Sequence, residues 1–363
     1  MSLSASTSIG SSLRASLRTT AKRGLALAVG QSGLESLVWK SVLSDRLLIL
    51  CYHSVIPDDA CSSRIQLDDS AVSVSEFKRH LELVLKRYRP CSLDDLLASV
   101  ESGRSSNTPR VLITFDDGFR NNYDHAAPIL QRLGVPAIFS VTTGYIGGSR
   151  ILWPNELVRR IFYWPEPDVP LPGIPGAPVQ LYRLPDNTAA RVAAADRIRE
   201  GCKKLSHQAA GEYLQLLRSK PSLMDEYEDP ELNAFMSWEN VRSLAHQGFS
   251  IASHTVDHPI LTRISSEDAG RELRESKSRI EKELGIECPC FVYPNGCAGS
   301  YSAELMNQCQ RAGYRIALTL TNQFPVLSRS PFALSRVYVP GQVPDGSFQF
   351  RTSSVYGLLQ RLR

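Results

Sequence analysis

Seven short apolar runs alternate along this chain with segments of helical periodicity, and no other feature constrains the fold as much. The runs are Leu47–Tyr52, Val111–Ile113, Val135–Val141, Phe249–Ala252, Phe291–Tyr293, Tyr314–Leu318 and Val337–Val339. Rich in β-branched and aromatic residues and punctuated by Gly, Pro, Asn and Asp, they read as buried strands. Strands separated by helices pair in parallel, because only a long crossover can return the chain to the same end of the sheet. The expected fold class is therefore α/β, a parallel barrel, and 363 residues suffice for one barrel with an insertion.

The intervening segments follow. Glu76–Lys86 reads as a helix capped by Ser75, with His80 on its surface, after a polar loop at residues 56–74. Helices are also expected over Asp94–Val100, Tyr123–Leu133, Trp238–Gln247, Ser265–Leu284 and Ala303–Ala312. The stretch 150–235 is longer than a connection needs. It begins with an amphipathic pattern over Trp153–Trp164 and passes through the Pro/Gly-rich Pro165–Pro185, irregular or a short hairpin. It continues as one long helical pattern over Asn187–Ser219. The chain divides into a basic segment with a helix at 1–45, a main domain at 46–340 with an insertion at about 150–235, and a basic tail at 341–363.

The second run ends in Thr114-Phe115-Asp116-Asp117-Gly118. Adjacent acids repel, so both stay ionised only if something offsets the charge. A divalent cation does so and leaves the second acid free to act as a base. The fourth run leads into Ser253-His254-Thr255-Val256-Asp257-His258. Imidazoles four residues apart share one face of a helical turn and can grip one ion. One Asp with two His leaves positions open for water and substrate, as in a catalytic site. His53, directly after the first run, sits at the same strand end as Asp116.

Composition narrows the partners. The net charge of +4 is accounted for by Arg14, Arg18, Lys22 and Arg23, since residues 1–34 hold no acid and the remainder balances 37 basic against 37 acidic side chains. A neutral body argues against non-specific nucleic-acid binding. The apolar stretch Leu25–Val29 is too short to span a bilayer. The segment through residue 40 is open to reading as a transit peptide, a membrane-surface helix or a frayed terminus. The eight cysteines are irregularly spaced and mostly beside apolar runs, so they read as reduced thiols, which points to a cytoplasmic compartment. A disulfide from Cys297 to Cys288 or Cys290 is the alternative there.

Thr114–Gly118, Ser253–His258 and Phe291-Val292-Tyr293-Pro294-Asn295-Gly296 together resemble the polysaccharide deacetylase family, also called the NodB-homology domain or carbohydrate esterase family 4. The resemblance covers roughly residues 46–150 and 236–340. It implies a distorted (β/α)7 barrel and a metal-dependent hydrolase that removes N-acetyl groups from a glycan. It implies Zn²⁺ held by Asp117, His254 and His258, with Asp116 as general base. It also implies the backbone N–H of Asn295 as oxyanion donor. Tyr52-His53 looks like a subgroup in which this His supplies the acid, and no Leu-x-His motif occurs late in the chain. The family motif carries an Arg where Val292 stands, and Arg336 is the candidate replacement. Two other classes stay open: a hydrolase of another non-peptide amide, and a non-catalytic glycan-binding protein on the same fold.

Overall fold

The computed structural model describes residues 47–63, 67, 70–104, 106, 108–173, 180–220, 233–328 and 330–361. The expected basic segment at 1–45, with its membrane contact, lies outside the described residues, as do 174–179 and 221–232 of the insertion. Among the described residues no helix is long and apolar enough to cross a membrane.

Seven parallel strands form the frame: β1 Leu47–Tyr52, β2 Arg110–Phe115, β3 Ala137–Val141, β4 Ser250–Ser253, β5 Cys290–Val292, β6 Ile316–Leu318 and β7 Val337–Tyr338. Their order in space is β6-β5-β4-β3-β2-β1-β7, and Arg89–Pro90 adds to β2. Residues leading into β7 also pair with β6 through a parallel bridge between Leu318 and Leu334. The sheet is thereby curled on itself, the distorted (β/α)7 barrel of the NodB type.

Strand alternation sorts the core into two layers. Leu47, Ile49, Leu112, Ile138, Ala252, Val292, Leu318 and Leu334 face inward and pack together. Leu48, Leu50, Val111, Ile113, Phe139, Ile251, Phe291 and Ala317 face outward, into a second cluster with the covering helices. Continuing the inward series in steps of two reaches Thr114 on β2 and Asp116 just past its end, His254 beyond β4, and Arg336. The same parity that fills the barrel floor with aliphatics therefore places the polar groups at its C-terminal mouth.

The insertion packs as a unit with its own apolar cluster, including Leu157, Ile161, Trp164, Ile198, Tyr213 and Leu217. Its helices are α1 Trp153–Phe162, α2 Thr188–Cys202 and α3 His207–Arg218, with an antiparallel hairpin of Asp168–Pro170 and Leu181–Arg183 between α1 and α2. The continuous helix expected over Asn187–Ser219 is two helices, because Ser206 caps α3 by accepting from the N–H of Ala209.

Other expectations need correction. The loop at 56–74 holds a parallel pair, Ser54–Ile56 with Ala71–Ser73, and a short helix, Asp58–Ser63. The cap of the next helix, Val74–Leu85, is Ser73 rather than Ser75. Ser73 and Glu76 form a reciprocal capping box. His80 is buried, not exposed, and stacks on Phe348 with ring centroids 4.0 Å apart. Residues 341–361 of the expected basic, partly ordered tail contain helices Asp345–Arg351 and Ser354–Arg361, and Phe348 and Val355 are buried. The segment before Ala127–Leu133 is a π-helical turn, Asn122–Ala126. All eight cysteines are unpaired, so neither disulfide considered for Cys297 is present.

Candidate active site

Asp116, Asp117, His53, His254, His258 and Asn295 all line one cleft of about 420 Å³ at the barrel mouth. Register explains the grouping. Tyr52 pairs with Phe115, and Phe115 with Phe139, so the residues one step further, His53, Asp116 and Ser140, come side by side.

The two acids have different surroundings. Asp116 is 2% exposed and is gripped by Arg336, which is fully buried. The Arg336 guanidinium donates to Asp116 Oδ1 and Oδ2, both at 2.7 Å, and also to Thr114 Oγ1 at 3.0 Å and the Thr319 carbonyl at 3.1 Å. Ser140 Oγ donates to Asp116 Oδ1 at 2.8 Å and Cys51 Sγ to Oδ2 at 3.4 Å. Burial alone would raise the Asp116 carboxyl, but the guanidinium overrides it and holds the group well below the usual carboxylate range. Arg336, the candidate replacement for the Arg that the family motif has at Val292, thus does reach the acid, from 220 residues further along the chain.

Asp117 faces the histidines. Its Oδ1 lies 3.4 Å from the Nε2 atoms of both His254 and His258. Burial pushes this carboxyl up, and hydrogen bonding to the two imidazoles brings it below its ordinary value. His254 Nδ1 lies 2.8 Å from the Val292 carbonyl. That contact makes Nδ1 a donor to the backbone, so a cation bound beside Asp117 would find Nε2 available to ligate it in place of a proton. One carboxylate oxygen and two imidazole nitrogens, buried and within 4.8 Å of one another, fit a divalent cation. A second group, Cys51, His53 and Asp116, is equally close but fits poorly. Burial keeps the Cys51 thiol protonated, and Arg336 already occupies both oxygens of Asp116.

The turn carrying His258 is not helical, as its four-residue spacing had suggested. Thr255 (φ 69°) and His258 (φ 56°) are left-handed, and Glu272 accepts the N–H groups of Val256 and Asp257 at 2.7 and 3.1 Å. The described non-glycine residues with positive φ are Asp117, Thr255, His258, Asn295 and Asn322, all at this cleft or in that turn. Such conformations cost of order 1–3 kcal/mol each and persist where the surroundings over-determine them. Asn295 and Gly296 form one such bend. A Cβ on Gly296 would meet the Leu320 nitrogen at 2.7 Å, so only glycine fits there.

His53 is partly buried. Its ring meets Tyr338 edge-on at 5.5 Å, and its carbonyl accepts from Asn122 Nδ2 at 2.5 Å. Several residues of the site were not singled out from sequence: Ser140 and Glu272, which bond to the groups behind the cleft, and three that line it from the insertion, Trp153, Arg199 and Lys203. Ser140 was within reach of strand parity. The others depend on how the insertion and the helix Ser266–Leu284 dock.

The family model for polysaccharide deacetylases matches residues 103–164 and 211–317; outside it fall 165–210 and the flanks that carry His53 and Arg336. The putative polysaccharide deacetylase YxkH of Bacillus subtilis is 28% identical over 304 residues, 84% of this chain and 75% of that protein. Among solved structures, the Streptococcus pyogenes deacetylase PplD in complex with acetate superposes with a TM-score of 0.52 at 17% identity, covering 87% of this chain and 98% of that one. IcaB from Ammonifex degensii gives 0.52 at 18%, covering 86% and 97%. At these identities the solved structures speak to the fold alone. Joined to the family match and the motif residues gathered in one cleft, they lead to one conclusion: the chain belongs to the polysaccharide deacetylase family.

Proposed function

We propose that this chain hydrolyses N-acetyl groups on a polysaccharide or oligosaccharide, using a divalent cation, zinc, held by Asp117, His254 and His258. The observation that carries the reading is the division of labour between adjacent acids: Asp117 faces two imidazoles, while both oxygens of Asp116 are held by Arg336. Asp116 is therefore anionic across physiological pH and available as a base. When bound, the cation supplies positive charge that polarises an acetyl carbonyl and makes water acidic enough to attack near neutrality.

The chain's own groups divide the rest. Asp116 accepts the proton of the attacking water. The backbone N–H of Asn295, held by its left-handed bend, donates to the oxyanion that develops on the former carbonyl oxygen. His53, on the other side of Asp116, returns a proton to the leaving amine as the C–N bond breaks, giving acetate and an amino sugar. The neutral body gives no support to a nucleic-acid substrate.

The test is release of acetate from a panel of N-acetylated glycans, lost on chelation and restored by Zn²⁺. Asp116→Asn should retain metal while turnover falls by at least ~10². Near-native turnover in that variant, or activity indifferent to chelation, would overturn the assignment.

A further inference from the structure

Four of the five described left-handed non-glycine residues serve the proposed reaction. Asp117 and His258 are ligands and Asn295 is the oxyanion donor. Thr255 ties down His258, whose N–H its Oγ1 accepts at 3.0 Å. The fifth, Asn322, has no part in that reaction, although it lines the same cleft with φ 57°. A strained residue at a site persists only where its surroundings hold it, so what holds Asn322 bears on what it is for.

Strand order says where Asn322 stands. Around the barrel mouth, Asn295 follows β5, Asn322 follows β6, Tyr338 ends β7 and His53 follows β1. Asn322 therefore lies on the arc between the oxyanion donor and the acid. Its turn is tied to both neighbours. The Leu320 N–H donates to the Gly296 carbonyl at 2.7 Å, and the Tyr338 N–H donates to Asn322 Oδ1 at 2.9 Å. From the helix Ser354–Arg361, Tyr356 Oη donates to the Asn322 carbonyl at 3.0 Å. A backbone N–H can only donate, so the atom it meets is the amide oxygen, and the other end of the amide is the NH2 group. Among the described residues none accepts from that group. A half-buried amide thus has its oxygen committed, its backbone pinned and its NH2 left for what enters the cleft.

We infer that Asn322 is a specificity-determining residue whose Nδ2 donates to a ring hydroxyl of the sugar that carries the amide being cleaved. The inference rests on the glycan reading above and deepens it. In that reading the oxyanion turns toward Asn295 and the leaving amine toward His53. The sugar ring is bonded to that amine, so it meets the wall on the His53 side, where Asn322 and Tyr338 stand. A hydroxyl oxygen accepts from a neutral amide without bringing a second negative charge beside Asp116. An acetylated amine with no such hydroxyl leaves the amide unmatched in a confined cleft, and a site built to hydrogen-bond a substrate group discriminates against the analogue that lacks it.

Two substitutions and two probes test this. Asn322→Gly accepts the left-handed backbone and removes the amide, whereas Asn322→Asp tolerates that backbone, keeps an oxygen for the Tyr338 N–H and removes only the NH2. Metal-loaded wild type and variants are compared on N-acetylglucosamine oligomers and polymer, and on an aryl acetate. The ester offers the same acetyl group with no sugar, and its phenolate leaves without needing a proton. Asn322→Gly should lose at least ~10-fold in kcat/KM on the glycan and less than ~3-fold on the ester. Asn322→Asp should show the same preference, and it carries the test if the Gly variant melts early. A variant that keeps the wild-type glycan rate overturns the inference and leaves the deacetylase reading intact. Equal losses on both probes overturn it too, because the residue then supports the reaction or the fold and not the sugar. A wild type that releases no acetate from any of the glycans overturns both readings.

Discussion

Replacing Arg336 by Met removes a buried positive charge while keeping an unbranched side chain of similar length. Asp116 would be left 2% exposed with only the Ser140 hydroxyl and Cys51 thiol as side-chain donors. Removing one partner of a buried pair typically costs about 3–5 kcal/mol, because the other charge remains desolvated. Against a native stability of roughly 5–15 kcal/mol, that is a large fraction. Asp116→Asn is destabilising in its turn, since it strands the guanidinium. The double variant strands neither group, so it should cost much less than the sum of the singles, a coupling of ~2 kcal/mol or more. Urea unfolding of the four metal-free proteins measures this. The pH dependence has a definite sign. The wild-type carboxyl is depressed in the fold, so its contribution is present above the unfolded value near ~4 and fades as pH falls toward the folded value. Without Arg336, burial loses its main opponent and the carboxyl rises, so the variant's penalty is full at pH 7 and shrinks on acidification. The gap between the two proteins should narrow from pH 7 to pH 4. A single-variant cost below ~1 kcal/mol, additivity in the cycle, or a gap that widens at low pH would refute the reasoning.

His80, pushed down to about 4 first by burial and then by the charge of Arg79, resists protonation in the fold. Unfolded chains take up that proton below pH ~6.5, so acidification from there toward 4 should remove up to roughly 3 kcal/mol of stability; His80→Leu should flatten that part of the curve, and an unchanged slope would count against it. Glu272→Leu unties the N–H groups of Val256 and Asp257 from the turn that carries His258. Zinc affinity by competition with a chelator should drop ~10–100-fold, and an unaltered affinity would show that the turn holds itself. His53→Ala should slow release of the amine with metal content unchanged, so a variant that deacetylates at the wild-type rate removes the acid role. Asp117→Ala should fail to retain metal after dialysis, whereas retention would move the ligand set elsewhere.

What could be seen in the sequence was local. A strand that stops at Asp116-Asp117-Gly118 needs no tertiary knowledge to put its acids at the barrel mouth, and His254 follows β4 in the same way. His258 does lie beside His254, but not through a helical repeat: a turn tied down by Glu272 brings the two rings together. His80 shows polarity weighed too heavily against spacing. It lies three residues after Phe77 and four before Val84, on the buried stripe, and the ring that covers it, Phe348, comes from a helix hundreds of residues later. Arg336 was legible only as a candidate, because its partner is fixed by barrel closure across 220 residues. The walls contributed by Trp153, Arg199 and Lys203 had no signature, since a residue's place in an insertion says nothing of what the insertion leans on.

That span of 220 residues has a consequence for how the protein is born. A nascent chain can assemble the first six strands while Arg336 is still unmade, and Asp116 then sits in its hollow as a lone anion. Barrel closure and charge neutralisation arrive together, with the last strand. A chain stalled or clipped before that point is therefore penalised at the barrel mouth, where the buried carboxylate waits for its cation.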